Sequence, residues 1–167
     1  MLYTHTWQSP LGIPLHIAVD KVGALHHVTY HDFRKELAPQ QWEENKWACG
    51  PVELQLEEYF NGERQSFTCT LALPGTPFQK EVWKKLQRVP FGETISYGEL
   101  ARRVGRRSGA RAVGNAVGKN PVAIVVPCHR VVRTNGSMGF YARQTLPEDV
   151  GRHIKRQILG IEGISHR

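Results

Sequence analysis

The sequence predicts an α+β fold in two parts, a small N-terminal α/β domain over residues 1–72 and a mostly helical domain over residues 73–167. The first part alternates apolar and polar residues with the period of strands, whereas the second repeats apolar residues with the period of helices. A Pro- and Gly-rich segment at residues 73–77 fits a linker between them. The charge changes sign just after it, since residues 1–79 hold 5 Lys/Arg against 9 Asp/Glu, whereas residues 80–167 hold 17 against 6.

The first domain is predicted to contain a three-stranded sheet and one helix. Two of the strands flank the turn at Lys21-Val22-Gly23, and the third lies at the N-terminus. The helix has Pro51 in its first turn and ends at Asn61-Gly62. The predicted elements are strands over 2–7, 13–20 and 24–30, a loop with short helical pieces over 31–50, a helix over 51–60 and a short β-like segment over 67–71.

The second domain is predicted to begin with a helix that Thr76 caps and that has Pro77 at its first position. Phe78, Val82 and Leu86 recur at intervals of four residues, so they share one face of this helix. Two further elements are predicted later in the chain, a buried strand or extended segment over the apolar run 122–126 and a basic amphipathic helix over 148–159.

A pair of short helices is predicted in the middle of the second domain. Ser96 and Glu99 have the spacing of a capping box, in which Ser is the N-cap and Glu the third helical residue. The helix that follows ends at Gly105, and after a turn over 106–109 a second helix covers 110–119. Two short helices around a tight turn have the shape of a helix-turn-helix, and a plain αα-hairpin fits the pattern equally well.

The composition is that of an ordinary globular protein. Of its 167 residues 40% are hydrophobic and 22% are charged, which excludes disorder over most of the chain. No apolar run approaches the ~20 residues of a membrane span, and the first ten residues lack the basic region of a signal peptide. Three cysteines without a CxxC motif exclude a disulfide scaffold and fit a reducing, cytoplasmic setting.

The positive charge is concentrated where the helix pair is predicted. The net charge is +7, and six of the cations lie between residues 102 and 119. Such a concentration fits a nucleic acid, because cations that neutralise phosphates release bound counterions. A solubilising surface explains the same charge. The eight histidines could hold zinc, but scattered surface histidines account for them, and no metal is expected.

Cys128 is the sharpest candidate for chemistry. It is followed by His129 and Arg130, and neighbouring cations lower the pKa of a thiol and so favour the reactive thiolate. The alternative is a buried cysteine that acts as a small hydrophobic residue, and this alternative suffices for Cys49 and Cys69.

A nucleophilic cysteine also needs a base and a group that orients the base. His129 is adjacent in sequence and is the candidate base. Glu162 is the candidate for the orienting carboxylate, although the spacing equally allows Glu148 or Asp149.

Four short motifs of the second domain occur together as they do in one protein family. They are Pro127-Cys128-His129-Arg130-Val131, Arg111-Ala112-Val113-Gly114, Asn120-Pro121 and Ser96-Tyr97. The chain resembles the O6-alkylguanine-DNA alkyltransferases, also called methylated-DNA–protein-cysteine methyltransferases. The resemblance is dense over residues 77–139 and covers residues 1–72 only in length and pattern. It implies a small α/β domain followed by a mostly helical domain with a helix-turn-helix.

The resemblance implies DNA repair in which an alkyl group passes from guanine O6 to Cys128, once per molecule and without a cofactor. O4-alkylthymine is a further candidate substrate. His129 would activate the thiol through a bound water, and Glu162 would orient His129. Asn120 would shape the active-site turn.

The same resemblance implies that the target nucleotide is flipped out of the duplex and that the second helix of the pair enters the minor groove. Tyr97 would press on the phosphate beside this nucleotide, and Arg111 would fill the gap it leaves. The expected partner is double-stranded DNA with alkylated bases, bound by a monomer and without a membrane. The DNA contacts are expected from Tyr97, Arg111, Ala112, Gly114, Ala116, Lys119 and Arg130.

Two departures from the family pattern lie between Cys128 and Glu162. Arg143 and Gln144 are bulky where glycines are expected, and residues 146–150 look like an insertion. Both departures would change the wall of the active-site pocket and the size of the alkyl group that the protein accepts. The rival functions are a lesion-binding protein of the same fold that transfers nothing, and a cysteine hydrolase that uses the same triad.

Overall fold

The structure, a computed structural model, describes residues 1–106 and 109–165. The chain divides into two compact units, Met1–Pro74 and a second unit that begins at Gly75. Among the described residues no helix is both long and apolar enough to cross a membrane.

The first unit contains the strands β1 (Leu2–Gln8), β2 (Pro14–Val19), β3 (Leu25–Thr29) and β4 (Trp42–Glu44). They form one four-stranded sheet in the order β3-β2-β1-β4. Strand β2 pairs antiparallel with β1 and β3, and β4 pairs parallel with β1. The three predicted strands are confirmed, but the expectation of a three-stranded sheet is wrong. The fourth strand is too short and too exposed to show an apolar period.

The long helix of this unit, α1 (Lys46–Phe60), starts earlier than predicted. The side chain of Asn45 caps it by accepting a hydrogen bond from the amide of Ala48 at 3.1 Å. Pro51 therefore lies inside the helix and not at its start. It is exposed, so water can satisfy the carbonyl that loses its helical partner. The helix packs on β1 and β2 through Cys49, Val52, Leu56 and Tyr59.

The connecting segments of the first unit agree with the predicted irregular structure. The segment before β4 contains two single-turn 3₁₀ helices, Phe33–Glu36 and Pro39–Gln41. The predicted β-like segment at residues 67–71 pairs with β3 only through an isolated bridge between Leu71 and Leu25.

The second unit opens with α2 (Pro77–Leu86), and the predicted cap is confirmed. Thr76 Oγ1 accepts from the amide of Gln79 at 3.1 Å, and Gln79 Oε1 accepts from the amide of Thr76 at 3.0 Å. The buried Trp83 donates its indole N–H to the carbonyl of Ala116 at 2.9 Å, which ties α2 to the helix that carries Ala116.

The predicted pair of short helices is present as α3 (Tyr97–Arg103) and α4 (Ala110–Gly118), which pack on each other and on α2. Ser96 Oγ caps α3 by accepting from the amide of Glu99 at 3.0 Å. The returning half of the predicted capping box does not form, because the Glu99 carboxylate binds two arginines of its own helix instead. Two residues of the predicted turn, Arg107 and Ser108, lie outside the described residues.

The apolar run over residues 122–126 is buried but is not a strand. It folds into a tight turn, in which the amide of Val126 donates to the carbonyl of Val122 at 3.0 Å and Ile124 has a φ of +73°. The unit also contains β5 (Ile95–Ser96), β6 (Val131–Val132), which pairs with β5 in parallel, and α5 (Glu148–Ile161).

Candidate active site

Cys128 begins a single 3₁₀ turn, Cys128–Arg130, directly after the buried turn at residues 122–126. Asn120 holds this turn in shape, because its Nδ2 donates to the carbonyl of Val126 at 2.8 Å and its Oδ1 accepts from the amide of Val122 at 3.0 Å. The structure therefore places Asn120 where it shapes the segment that presents the thiol, and Cys128 itself is partly exposed.

The surroundings of the thiol act on its ionisation in two directions. Burial raises the pKa of the Cys128 thiol. Hydrogen bonding to the side chain of Asn120, the positive charge of Lys155 and hydrogen bonding to Tyr141 lower it. Burial alone therefore disfavours the thiolate, whereas the surrounding polar and charged groups stabilise it.

Lys155 is a site residue that the sequence analysis missed. It is fully buried on α5, and its Nζ donates to the carbonyls of Val131 and Met138 at 2.6 Å each and of Phe140 at 3.2 Å. Burial lowers its pKa to about 8, and the neighbouring thiol opposes the shift. A lysine at a core-facing position of an amphipathic helix was the signal that could have identified it.

The loop before α5 approaches this helix closely at Gly151. A Cβ at this position would overlap the backbone carbonyl of Tyr141. The absence of a side chain therefore lets α5 bring Lys155 beneath the strand and loop that carry its three carbonyl partners.

His129 is completely buried and is paired with Glu162. Its Nε2 lies 2.6 Å from Glu162 Oε2, and its Nδ1 has no hydrogen-bond partner within the described part of the chain. Burial lowers the pKa of His129, whereas the Glu162 carboxylate raises it. When Nε2 donates to the carboxylate, Nδ1 of the neutral ring is left as a proton acceptor.

Glu162 is held from the other side by Arg130. Nε and Nη2 of Arg130 donate to the two carboxylate oxygens at 2.9 and 3.0 Å, and Nη1 donates to the carbonyl of Val89 at 2.6 Å. The amide of Gly92 adds a further hydrogen bond to Glu162 Oε1 at 3.2 Å. The carboxylate that pairs with His129 is therefore Glu162. The two alternatives, Glu148 and Asp149, are exposed in the first turn of α5.

Tyr97, the first residue of α3, lies near the same thiol. Burial raises its pKa, the Cys128 thiol acts in the same direction, and the charge of Arg133 opposes them. A Cβ placed on Gly114 would lie 3.7 Å from one edge of the Tyr97 ring, and a Cβ on Gly139 would lie 3.7 Å from the other. The ring thus stands between α4 and the segment that follows β6.

The structure separates the residues expected to contact DNA into two groups. Arg111 and Lys119 are exposed at the two ends of α4, and Ala112 and Gly114 are partly exposed between them. Ala116 does not face outward: it is buried against α2, where its carbonyl accepts the Trp83 N–H, which corrects the expectation that it lies in the groove.

Arg130 is the second correction among the expected DNA contacts. Only 7% of its side-chain surface is exposed, and its donors are directed to Glu162 and the carbonyl of Val89. The expectation that Arg130 binds DNA is therefore wrong. Its place in the structure is to hold the carboxylate that orients His129.

Within residues 1–106 and 109–165, no three His, Cys, Asp or Glu side chains are grouped as they would be to hold a metal ion. The histidines of the first unit instead have local partners, such as Thr6 for His16, Asp20 for His26 and the Phe33 ring for His27.

Comparisons with known proteins agree with this geometry. The family model described as "6-O-methylguanine DNA methyltransferase, DNA binding domain" matches residues 77–164. A methylated-DNA--protein-cysteine methyltransferase of Methanosarcina mazei is 43% identical over 161 residues, which cover 96% of this chain and 97% of that protein. A protein of the same name from Mycobacterium tuberculosis H37Rv is 39% identical over 162 residues.

The fold is also similar to solved structures. The crystal structure of Mycobacterium tuberculosis OGT in complex with DNA has a TM-score of 0.84 and 38% identity, and covers 96% of this chain and 93% of that one. The O6-methylguanine-DNA methyltransferase of Pyrococcus kodakaraensis has a TM-score of 0.64 and 26% identity.

A cysteine beside a buried His–Glu pair, in a unit that matches a DNA-binding domain, defines the class of DNA-repair proteins that accept an alkyl group on a cysteine. The chain belongs to the methylated-DNA–protein-cysteine methyltransferase family.

Proposed function

We propose that this protein repairs O6-alkylguanine in double-stranded DNA by moving the alkyl group to Sγ of Cys128. The observation that carries the proposal is the buried chain Arg130–Glu162–His129 immediately beside that cysteine. A histidine fixed by a carboxylate, with one ring nitrogen left to accept a proton, is the arrangement that activates a nucleophile.

The reaction is a displacement at carbon. The thiol proton leaves toward Nδ1 of His129, through the bridging water that the family resemblance implies. The thiolate then attacks the alkyl carbon, a C–S bond forms and the C–O6 bond breaks. The electron pair of the broken bond remains on the guanine, which takes up a proton and becomes ordinary guanine. Atoms and charge balance without a cofactor.

Tyr97 is placed to assist the leaving group. Its hydroxyl group is protonated at neutral pH, as in any tyrosine, and burial raises its pKa further. A donor to guanine O6 or N3 stabilises the negative charge that develops as the C–O6 bond breaks. We assign this role to Tyr97, in addition to its expected contact with the neighbouring phosphate.

The target base has to leave the helical stack to reach Cys128, because the thiol is only partly exposed and its neighbours are buried. The exposed Arg111 at the start of α4 is the residue that would enter the duplex in its place. Small residues at positions 112 and 114 let the α4 backbone come close to the minor groove.

The product is a thioether, and thioethers are not hydrolysed at neutral pH, so each molecule acts once. The protein would act as a monomer in the cytoplasm, or in the nucleus of a eukaryotic cell. O4-alkylthymine in DNA is the second substrate to test.

A stoichiometric assay tests the proposal. Wild-type protein is mixed with an excess of duplex that contains one O6-methylguanine, and restored guanine is counted per protein molecule. The proposal predicts one guanine per chain and none for Cys128→Ser. No restoration with retained binding would show a lesion binder. Several turnovers on an ester or amide, with no restored guanine, would show a hydrolase.

A further inference from the structure

The ring of Phe140 is surrounded by three guanidinium groups. The guanidinium carbons of Arg133, Arg143 and Arg152 lie 5.0, 4.6 and 5.7 Å from its centroid. All three lie within the ~6 Å at which a cation is attracted to an aromatic face. We call Arg133, Arg143 and Arg152, with the ring they share, the Phe140 arginine cluster.

The cluster holds more positive charge than its neighbours neutralise. Arg152 pairs with Glu148 at 3.1 Å, an i, i+4 pair on the outside of α5. Arg133 and Arg143 form no ion pair in the part of the chain that the structure describes, and both are exposed. Like charges that converge on one ring repel each other, so an anion bound between them would relieve the repulsion.

The cluster lies close to Tyr97 and Lys155, two neighbours of the Cys128 thiol. The carbonyl of Phe140 accepts one of the hydrogen bonds from Lys155 Nζ. A Cβ on Gly139 would lie 3.5 Å from Cγ of Arg133 and 3.7 Å from the Tyr97 ring, so Arg133 and Tyr97 meet over the same glycine. An anion at the cluster would therefore lie on the side of the active site where Tyr97 lies.

Phosphate fits the cluster better than a nucleobase does. A guanidinium group presents paired N–H donors that match two oxygens of a phosphate, and it keeps its charge at any relevant pH. A base would have to stack on Phe140, but guanidinium groups already lie against this ring. The ring thus spaces and orients the arginines and does not serve as a stacking platform.

We propose that the Phe140 arginine cluster binds backbone phosphates of the DNA strand that carries the alkylated base, on the nucleotides next to that base. The proposal rests on the proposed function, since it takes the base at the Cys128 thiol to be part of a DNA strand. It also gives a role to Arg143, which is bulky where the family pattern has a glycine.

The first test measures how strongly binding depends on salt. The full-length chain with Cys128→Ser, which cannot accept the alkyl group, is titrated with an O6-methylguanine duplex at several salt concentrations. Arg133→Gln and Arg143→Gln are measured singly and together. The matched control is Lys21→Gln with Lys35→Gln, which removes the same charge from exposed positions of the first unit.

The expected result follows from counterion release. Each phosphate contact contributes about 0.9 to the slope of log K against log salt. The double variant should therefore lower the slope by about 2, each single variant by about 1, and the control pair by much less. Arg143→Lys keeps the charge and should keep the wild-type slope. A double variant whose slope equals that of the control pair would overturn the proposal.

The second test locates the phosphates. Duplexes are prepared with uncharged methylphosphonate linkages at the positions that flank the lesion. Wild-type affinity should fall on these duplexes, whereas the double variant, which has already lost the contact, should lose little more. If the loss of affinity from the methylphosphonates and the loss from the double variant are additive, the arginines do not contact these phosphates, and the proposal is overturned. Circular dichroism checks that each variant is folded. Arg143→Gln changes an exposed residue in a turn, so it should leave the fold intact.

The two proposals can fail separately. If wild-type protein restores guanine but the double variant keeps the wild-type slope, the cluster proposal alone is wrong. If wild-type protein restores no guanine, the proposed function is wrong, whatever slopes are measured.

Discussion

Arg130→Met tests most sharply whether the buried ion pair organises the active site. The substitution removes three hydrogen bonds, two to the Glu162 carboxylate and one to the carbonyl of Val89. It also leaves a fully buried carboxylate that has lost its guanidinium partner and that keeps hydrogen bonds to His129 and to the amide of Gly92. Methionine has a comparable volume, so the loss of the charge and of its hydrogen bonds is expected to outweigh the change in packing.

The magnitude follows from the burial. Removing one partner of a buried ion pair typically costs about 3–5 kcal/mol, because the other charge is left uncompensated. Removing both charges in Arg130→Met with Glu162→Gln should restore part of this stability, since the amide oxygen can still accept from His129. The coupling energy between Arg130 and Glu162 should fall at the upper end of the ~0.5–3 kcal/mol typical of residues in contact.

Urea unfolding measures these free energies, and the rate of methyl transfer is measured beside them. The double variant should regain stability but not full activity, because His129 has lost its carboxylate. Arg102→Met is the matched control, since Arg102 forms an exposed i, i+3 pair with Glu99 whose loss should change the free energy of unfolding little. A loss for Arg130→Met of only ~0.5 kcal/mol, as at ordinary surface positions, would refute the reasoning.

Three further predictions concern packing, pH and DNA. Gly151→Ala should destabilise the protein by about 1–3 kcal/mol in thermal unfolding, because its Cβ would overlap a backbone carbonyl. Gly160→Ala on the same helix is the control: its Cβ would meet no neighbour, so it should stabilise the protein by up to ~1 kcal/mol. Burial lowers the pKa of His27 from its ordinary value of 6.5 to about 4. Between these two pH values the unfolded chain binds more protons than the folded chain, so the free energy of unfolding rises with pH across that window. His27→Gln should remove up to ~3 kcal/mol of this rise, as measured by denaturant titrations at the two ends of the window. Arg111→Ala should slow repair of duplex DNA by about tenfold or more, because unstacking the base costs a few kcal/mol. It should slow repair of the free base much less. Equal losses on the two substrates would show that Arg111 does not fill the gap that the flipped base leaves.

Local chemistry explains which elements could be predicted. The start of α2 follows from Thr76 and Pro77, because both halves of its cap are made by neighbours in sequence. The start of α1 could not be predicted from Pro51, because an exposed position inside a helix tolerates proline when Asn45 supplies the cap. Strand β4 depends on pairing with β1 and has no pattern of its own.

Tertiary contacts decide the rest of the site. The sequence pointed to Cys128 and left Glu162, Glu148 and Asp149 open on spacing, and the family resemblance favoured Glu162. The hydrogen bond between His129 and Glu162 became visible in the fold. A small residue such as Ala116 suits a DNA groove and a helix contact equally well, and only its burial separates the two. Lys155 was missed because its three carbonyl partners come from a different stretch of chain.

The most direct test of the account is to locate the transferred group after reaction with O6-methylguanine duplex. Proteolysis followed by mass spectrometry separates the peptides that contain Cys49, Cys69 and Cys128. The account predicts one added methylene equivalent on the Cys128 peptide, saturating at one per chain, and none on the other two. A methyl group on either of the other cysteines, or restored guanine with an unmodified Cys128, would contradict it.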